Sequence, residues 1–245
     1  MTTTTISVPA PKLRLMLTAV LAHTDADCDL PQISGVRFDY QAGALYLVAT
    51  DRYTLGVARE AVPEAAAAGL PDQAATLPLA GAWELRRILK RRDDKAVLCV
   101  GDGKITVSAG DVSGSWTAVA PGHAAQGNPS FPGWREMLHG FLTGTQVPMG
   151  ELAAVNPAKL ARLTPGPSRA HDSLNIRLLA RADNGIPTLV ATAGDWFIGA
   201  LMLVRLGGEA AVARHWAEWT VATAAAEKPV PEAASEPAAA EAVSA

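Results

Sequence analysis

The 245-residue sequence predicts an α+β protein built from repeated strand-helix-strand-strand-strand units. Three observations predict it. That order of elements occurs twice between about residues 6 and 120. It begins again after residue 151. Short turn-forming segments, such as Ala42-Gly43 and Gly101-Asp102-Gly103, separate the apolar runs and suit hairpins between antiparallel neighbours.

The first unit opens with a strand at Ile6 to Val8. A helix follows from Lys12 to Ala22, with Leu13, Met16, Leu17 and Val20 on one face at helical spacing. Strands are expected at Ile33 to Tyr40, Leu45 to Thr50 and Thr54 to Glu60. The second unit repeats this with a strand at Ala75 to Pro78 and a helix from Gly81 to Arg92, whose candidate core residues are Trp83, Ile88 and Leu89. Its strands are Ala96 to Val100, Lys104 to Ser108 and Ser115 to Val119. Together these form a domain over residues 1–120.

Residues 121–150 break the rhythm with Gly, Pro, His and Asn and read as a connector, with an apolar closing segment at 131–138. A half-domain follows over 151–206. It has a strand at Glu151 to Val155, a helix at Asn156 to Leu163, and strands at Leu174 to Ala180, Pro187 to Ala191 and Trp196 to Arg205. Asn156-Pro157 is a good helix start, with an N-cap side chain and a proline at the first helical position. Residues 207–245 read as a short helix, Gly208 to Thr220, and an Ala/Glu/Pro-rich tail that lacks the apolar surface to order itself.

Composition excludes several function classes. Apolar residues make up 49% of the chain, enough for a core, though much of that is alanine. The net charge of −3 argues against bulk electrostatic coating of nucleic acid, so any such contact needs a local patch. Cys28 and Cys99 fit neither a disulfide framework nor a zinc site and read as reduced thiols. The N-terminus carries no signal segment, and no run approaches the roughly 20 apolar residues that span a bilayer, so a cytoplasmic protein is expected. No hydrolase, zincin, phosphate-loop or dinucleotide motif is present, and neither catalysis nor a cofactor is expected. His23, His123, His139, His171 and His215 lack metal-ligand spacing and read as surface-loop residues. The Asp25, Asp27, Asp29 alternation begins like a calcium loop. Leu30 at the sharp-turn position and Val36 at the bidentate position return it to a solvated loop.

The informative cluster is basic. Arg86, Arg87, Lys90, Arg91 and Arg92 crowd the second helix, spread along one side by four-residue spacing. Lys12 and Arg14 occupy outer positions of the first helix, Lys159 and Arg162 those of the third. Each pair alone fits a solvated helix face. Basic residues on all three repeat helices of a net-acidic chain also fit sequence-independent phosphate contacts, and the residues by themselves leave both readings open.

Two groups of segments carry a resemblance. Ile33 to Phe38 with Leu45-Tyr-Leu-Val-Ala-Thr-Asp-Arg-Tyr-Thr-Leu-Gly-Val-Ala58 is similar to the middle domain of the bacterial DNA polymerase III beta subunit, the replication sliding clamp. Phe131-Pro132, Trp134-Arg135 and Leu138 resemble the segment that closes that domain, and Leu201-Met-Leu-Val-Arg-Leu206 its final strand. The resemblance covers about residues 5 to 206 in order. It implies a clamp fold with helices on one face of antiparallel sheets, and a homo-oligomer that contacts duplex DNA and acts as a processivity factor. It further implies a pocket for partner peptides of replicative polymerase or other clamp-binding proteins, with a clamp loader as a further partner. The DNA-facing residues it implies are Lys12, Arg14, Arg86, Arg87, Lys90, Arg91, Lys159 and Arg162. The pocket would involve Ile33, Thr50, Tyr53, Leu55, Pro132, Met137, Ala200 and Met202, whose independent reading is ordinary strand core. Arg52 stands where that family has glycine, and Leu203 where it has proline. One clamp domain has no counterpart and the third unit is half a domain, which keeps a second reading open: an adaptor that binds replication proteins without encircling DNA.

Overall fold

The structure is a computed structural model, and it describes residues 3–24, 30–90, 94–101, 103–120, 131–146, 153–180 and 186–205. The first unit comprises β1 (Thr4–Pro9), α1 (Ala10–Leu21), β2 (Gly35–Gln41), β3 (Ala44–Thr50) and β4 (Thr54–Ala61). A short helix, α2 (Pro63–Ala67), leads to the second, made of β5 (Gln73–Pro78), α3 (Leu79–Ile88), β6 (Lys95–Gly101), β7 (Lys104–Ala109) and β8 (Val112–Thr117). The connector holds α4 (Trp134–Leu142) and β9 (Thr145–Gln146). The third unit comprises β10 (Ala153–Ala154), α5 (Pro157–Leu160), α6 (Pro165–Ala170), β11 (Asn175–Ala180), β12 (Pro187–Ala193), β13 (Phe197–Met202) and β14 (Val204–Arg205).

The two complete repeats exchange their first strands. β1 pairs with β6, and β5 pairs with β2, both antiparallel. Neither repeat can therefore complete its sheet alone, and the two share one core. Leu13, Met16 and Leu17 of α1, Leu85 of α3, Leu89 just beyond it, and Phe38, Leu47, Leu77, Leu98 and Ile105 of the sheets are all fully buried. The helical spacing in α1 fills that core as the sequence predicts. In α3 the inward face is Ala82, Leu85 and Leu89, while Trp83, expected in the core, is 47% exposed.

The third unit continues the sheet. β13 pairs with β4 from Phe197↔Ala58 to Leu201↔Thr54, giving an eight-stranded array β5-β2-β3-β4-β13-β12-β11-β9. α1 packs on both α3 and α6, which sets the repeat helices on one side. Successive strand residues point to opposite faces. Leu47 and Ala49 meet the repeat helices, while Val48, Leu55 and Val57 pack against α4 on the far side.

Asn156 caps α5 as expected, its side chain accepting from the Ala158 and Lys159 N–H groups at 2.9 and 3.3 Å. The helix is shorter than predicted, passing into a 3-10 turn at Ala161–Leu163 and then into α6, which the sequence reading treats as loop. The strand expected at Ser115 to Val119 is instead β8, pairing with β7 from Ala109↔Val112. The expected calcium-like loop at 25–29, the expected helix at 208–220 and the tail lie outside the described residues.

Candidate functional site

Three helices converge on a basic concavity of about 440 Å³. Arg14 comes from α1, Arg86 and Arg87 from α3, Lys90 from the turn after it, and Arg169 from α6, with Thr18 and Trp83 completing the lining. Among the described residues no acidic side chain lines it, and none of these five cations pairs with a carboxylate. Arg86 is the fixed member. Its Nε donates to Thr18 Oγ1 at 3.1 Å, and its guanidinium lies 5.1 Å from the Trp83 ring centre. Burial, then the neighbouring Arg169 and Arg14 charges, lower its pKa from the usual value. Like charges held together without an anion are electrostatically unfavourable, and an oligoanion relieves them.

The other basic residues expected to face DNA are placed differently. Lys12 bridges to Glu60 at 3.5 Å and lies over the Trp196 ring. Lys159 and Arg162 turn inward onto the carboxylate of Asp51, Arg162 at 2.7 Å. Their charge answers that buried anion, so they do not join the basic concavity. Arg91 lies outside the described residues. Arg169 is a member that sequence reasoning missed. Its signal was Thr164-Pro165, a proline able to open a helix.

Asp51 organises the opposite edge of the β3–β4 turn. Its Oδ1 accepts from the Tyr53 and Thr54 N–H groups at 3.0 and 2.6 Å and from Thr54 Oγ1 at 2.8 Å, while Oδ2 takes Lys159 and Arg162. Burial pushes its pKa up, but the hydrogen bonds from Lys159 and Thr54 outweigh burial and hold the carboxyl below its ordinary value. Tyr53 is left 54% exposed with Lys159 5.1 Å from its ring centre. Arg52, at φ 77°, occupies left-handed backbone that glycine adopts without strain.

That turn is one wall of a groove of about 50 Å³, lined by Thr50, Arg52, Tyr53, Thr54, Leu55, Met137, Phe141, Ala200 and Met202. The structure thus brings together six residues expected in a partner pocket: Thr50, Tyr53, Leu55, Met137, Ala200 and Met202. Ile33 does not line it; it is buried in a 3-10 turn before β2. Pro132 does not line it either, standing ahead of α4. α4, which supplies Met137 and Phe141, is anchored by Asp39 on β2. That carboxylate accepts from Trp134 Nε1 at 3.0 Å and from both Arg135 terminal nitrogens at 2.7 and 3.1 Å.

His23, expected on a surface loop, is fully buried behind Gly56, and its ring nitrogens have no hydrogen-bond partner among the described residues. Burial depresses its pKa to about 3, against the opposing pull of Asp51 and with help from Arg162 and Lys159. Among the described residues no helix is long and apolar enough to cross a membrane, and no acidic, histidine and cysteine group could hold a metal ion.

Residues 3–118 match the family model of the DNA polymerase III beta subunit, central domain. The fold is that of DNA polymerase sliding clamps. The clamp from Pseudomonas aeruginosa aligns with a TM-score of 0.59 at 15% identity, covering 82% of this chain and 67% of its own. The Bacillus subtilis clamp aligns at 0.58 and 12% identity, covering 83% and 65%. The beta subunit from Thermotoga maritima aligns at 0.58 and 13%, covering 83% and 66%. The chain therefore spans about two thirds of the length of these clamps. No curated protein sequence matches it.

Proposed function

With residues 3–118 matching the family model of the DNA polymerase III beta subunit, central domain, in a chain that shares the sliding-clamp fold, we propose that this protein is a clamp-like tethering factor in DNA replication. It contacts duplex DNA without reading sequence through Arg14, Arg86, Arg87, Lys90 and Arg169. It takes the peptides of partner proteins in the groove between the β3–β4 turn, α4 and β13. The role is one of binding, not catalysis.

The observation that carries this reading is a basic concavity on the helical side of a net-acidic protein, whose five cations pair with no carboxylate among the described residues. Phosphates satisfy such a site without base contacts, and their counterions are released on binding. The groove supports the second half of the reading. Five of its nine lining residues, Leu55, Met137, Phe141, Ala200 and Met202, are apolar, and methionines adapt to more than one peptide.

Titrating two unrelated duplexes across a salt series tests it. Wild-type protein should bind both alike, with affinity falling linearly in log salt. Replacing Arg86, Arg87 and Lys90 together with Ala should weaken both equally and flatten the slope by about 0.9 per lost phosphate contact. Unchanged affinity and slope in the folded triple variant would return the helix face to plain solvation. A second reading, an adaptor that does not encircle DNA, is favoured by the third unit having one repeat where the first domain has two. Mass in solution separates them: a closed oligomer supports the clamp, a monomer the adaptor.

A further inference from the structure

We propose that Trp83 is a stacking platform for an unpaired base, so that the basic concavity holds single-stranded as well as duplex DNA. The inference rests on the reading above that this face takes DNA.

Three observations carry it. First, Trp83 is not part of the core. The inward face of α3 is already filled by Ala82, Leu85 and Leu89, and the indole is left 47% exposed, an unfavourable state for so large an apolar ring. Second, its surroundings differ from those of the other described tryptophans. The indole nitrogens of Trp116, Trp134 and Trp196 each donate to a carboxylate, of Glu84, Asp39 and Asp172, at 2.9, 3.0 and 2.6 Å. Trp83 has no hydrogen bond of that kind among the described residues, and it lines the concavity with five cations and Thr18. Third, Arg86 lies 5.1 Å from the ring centre and is itself held by Thr18, which steadies the ring beside the phosphate-binding charges.

An aromatic ring among arginines matches a nucleotide strand better than a duplex. In a duplex the faces of the bases are covered by their stacked neighbours, and only phosphates and groove edges remain for contact. An unpaired base presents its face, and base-on-aromatic stacking with flanking phosphates on Arg is how single strands are held without sequence preference. A cavity of about 440 Å³ lies within the range of small-ligand sites, which begins at roughly 300 Å³.

The test uses the full chain and three probes of equal length: an oligothymidylate, an abasic strand with the same phosphates, and a blunt duplex. Wild-type protein should bind the oligothymidylate about tenfold or more tighter than the abasic strand, the increment one stacked base supplies. Trp83→Ala should bring the oligothymidylate down to the abasic level, a larger fold-loss than it causes for the duplex or the abasic strand. Trp83→Tyr should keep most of the difference. Equal affinity of the wild type for the oligothymidylate and the abasic strand, with the duplex still bound, overturns the stacking role and leaves the phosphate reading standing. Equal weakening of all three probes by Trp83→Ala also overturns it, since a merely structural tryptophan would act that way. Failure of all three probes to bind wild-type protein overturns both readings.

Discussion

Asp51 and His23 show what single residues do at the joint between the first and third units. Asp51 draws a lysine and an arginine from more than a hundred residues away onto the β3–β4 turn. His23 fills space behind Gly56, where an added Cβ would lie 2.3 Å from the imidazole. With no partner for its ring nitrogens among the described residues, the histidine folds neutral, and its depressed pKa fixes the sign of a stability change. Above pH 6.5 both folded and unfolded states hold it neutral, and its contribution is fully present. As pH falls toward 3 only the unfolded state takes the proton, and stability is lost at about 1.4 kcal/mol per unit. Asp51, with its carboxyl held low, acts in a separate window below the ordinary carboxylate pKa. His23→Leu should therefore match wild-type stability at pH 7 within about 1 kcal/mol, because an unsatisfied buried polar ring contributes little. It should then spare about 2 kcal/mol of the loss between pH 7 and 5. Denaturant titrations at the two pH values check this; parallel losses in both proteins would show that His23 does not control the slope. Nothing local in the sequence marked this residue as buried except its place directly after the apolar end of α1, where the spacing that predicts Leu13, Met16, Leu17 and Val20 runs out.

At the scale of elements, local pattern was informative where a face repeats and silent where partners are distant. α1 was legible because four large apolar residues recur at helical spacing. α3 was legible as a helix, but counting apolar residues put Trp83 inside, when Leu85 and Leu89 one turn apart define the buried side. The closing segment was legible as an apolar anchor. Its attachment was not, because Asp39 lies 95 and 96 residues from Trp134 and Arg135. That attachment makes a prediction for α4. Asp39→Ala removes the acceptor of one indole and one bidentate guanidinium, which should cost about 1–3 kcal/mol, toward the low end because Arg135 can rehydrate. It should also weaken binding of a groove peptide, because α4 carries Met137 and Phe141 into that groove. Undiminished peptide affinity in the destabilised variant would mean that α4 does not shape the groove.

For the whole molecule, the repeat of elements was readable and the way the repeats join was not. Exchange of β1 and β5 between sheets, and the continuation of β4 into β13, are pairings between strands tens to more than a hundred residues apart. Hydrophobic alternation fixes which face of a strand is buried but not which strand lies beside it. The same joining explains why expected DNA contacts on α5 and its following turn went elsewhere: holding the third unit onto Asp51 occupies Lys159 and Arg162. The basic concavity and the groove consequently use different residues, and a tether needs both at once. The direct measurement is a bridging assay. A labelled peptide with a clamp-binding motif, glutamine followed at short spacing by leucine and phenylalanine, is offered to a bead-bound duplex with and without the protein. The account predicts recruitment of the peptide only when the protein is present. Met202→Asp should abolish recruitment, by placing a carboxylate in the apolar groove, while the protein stays on the beads. The Arg86, Arg87 and Lys90 triple variant should remove both. Release of the protein from DNA by the peptide, or no recruitment by wild-type protein that is itself retained on the duplex, would contradict the tether.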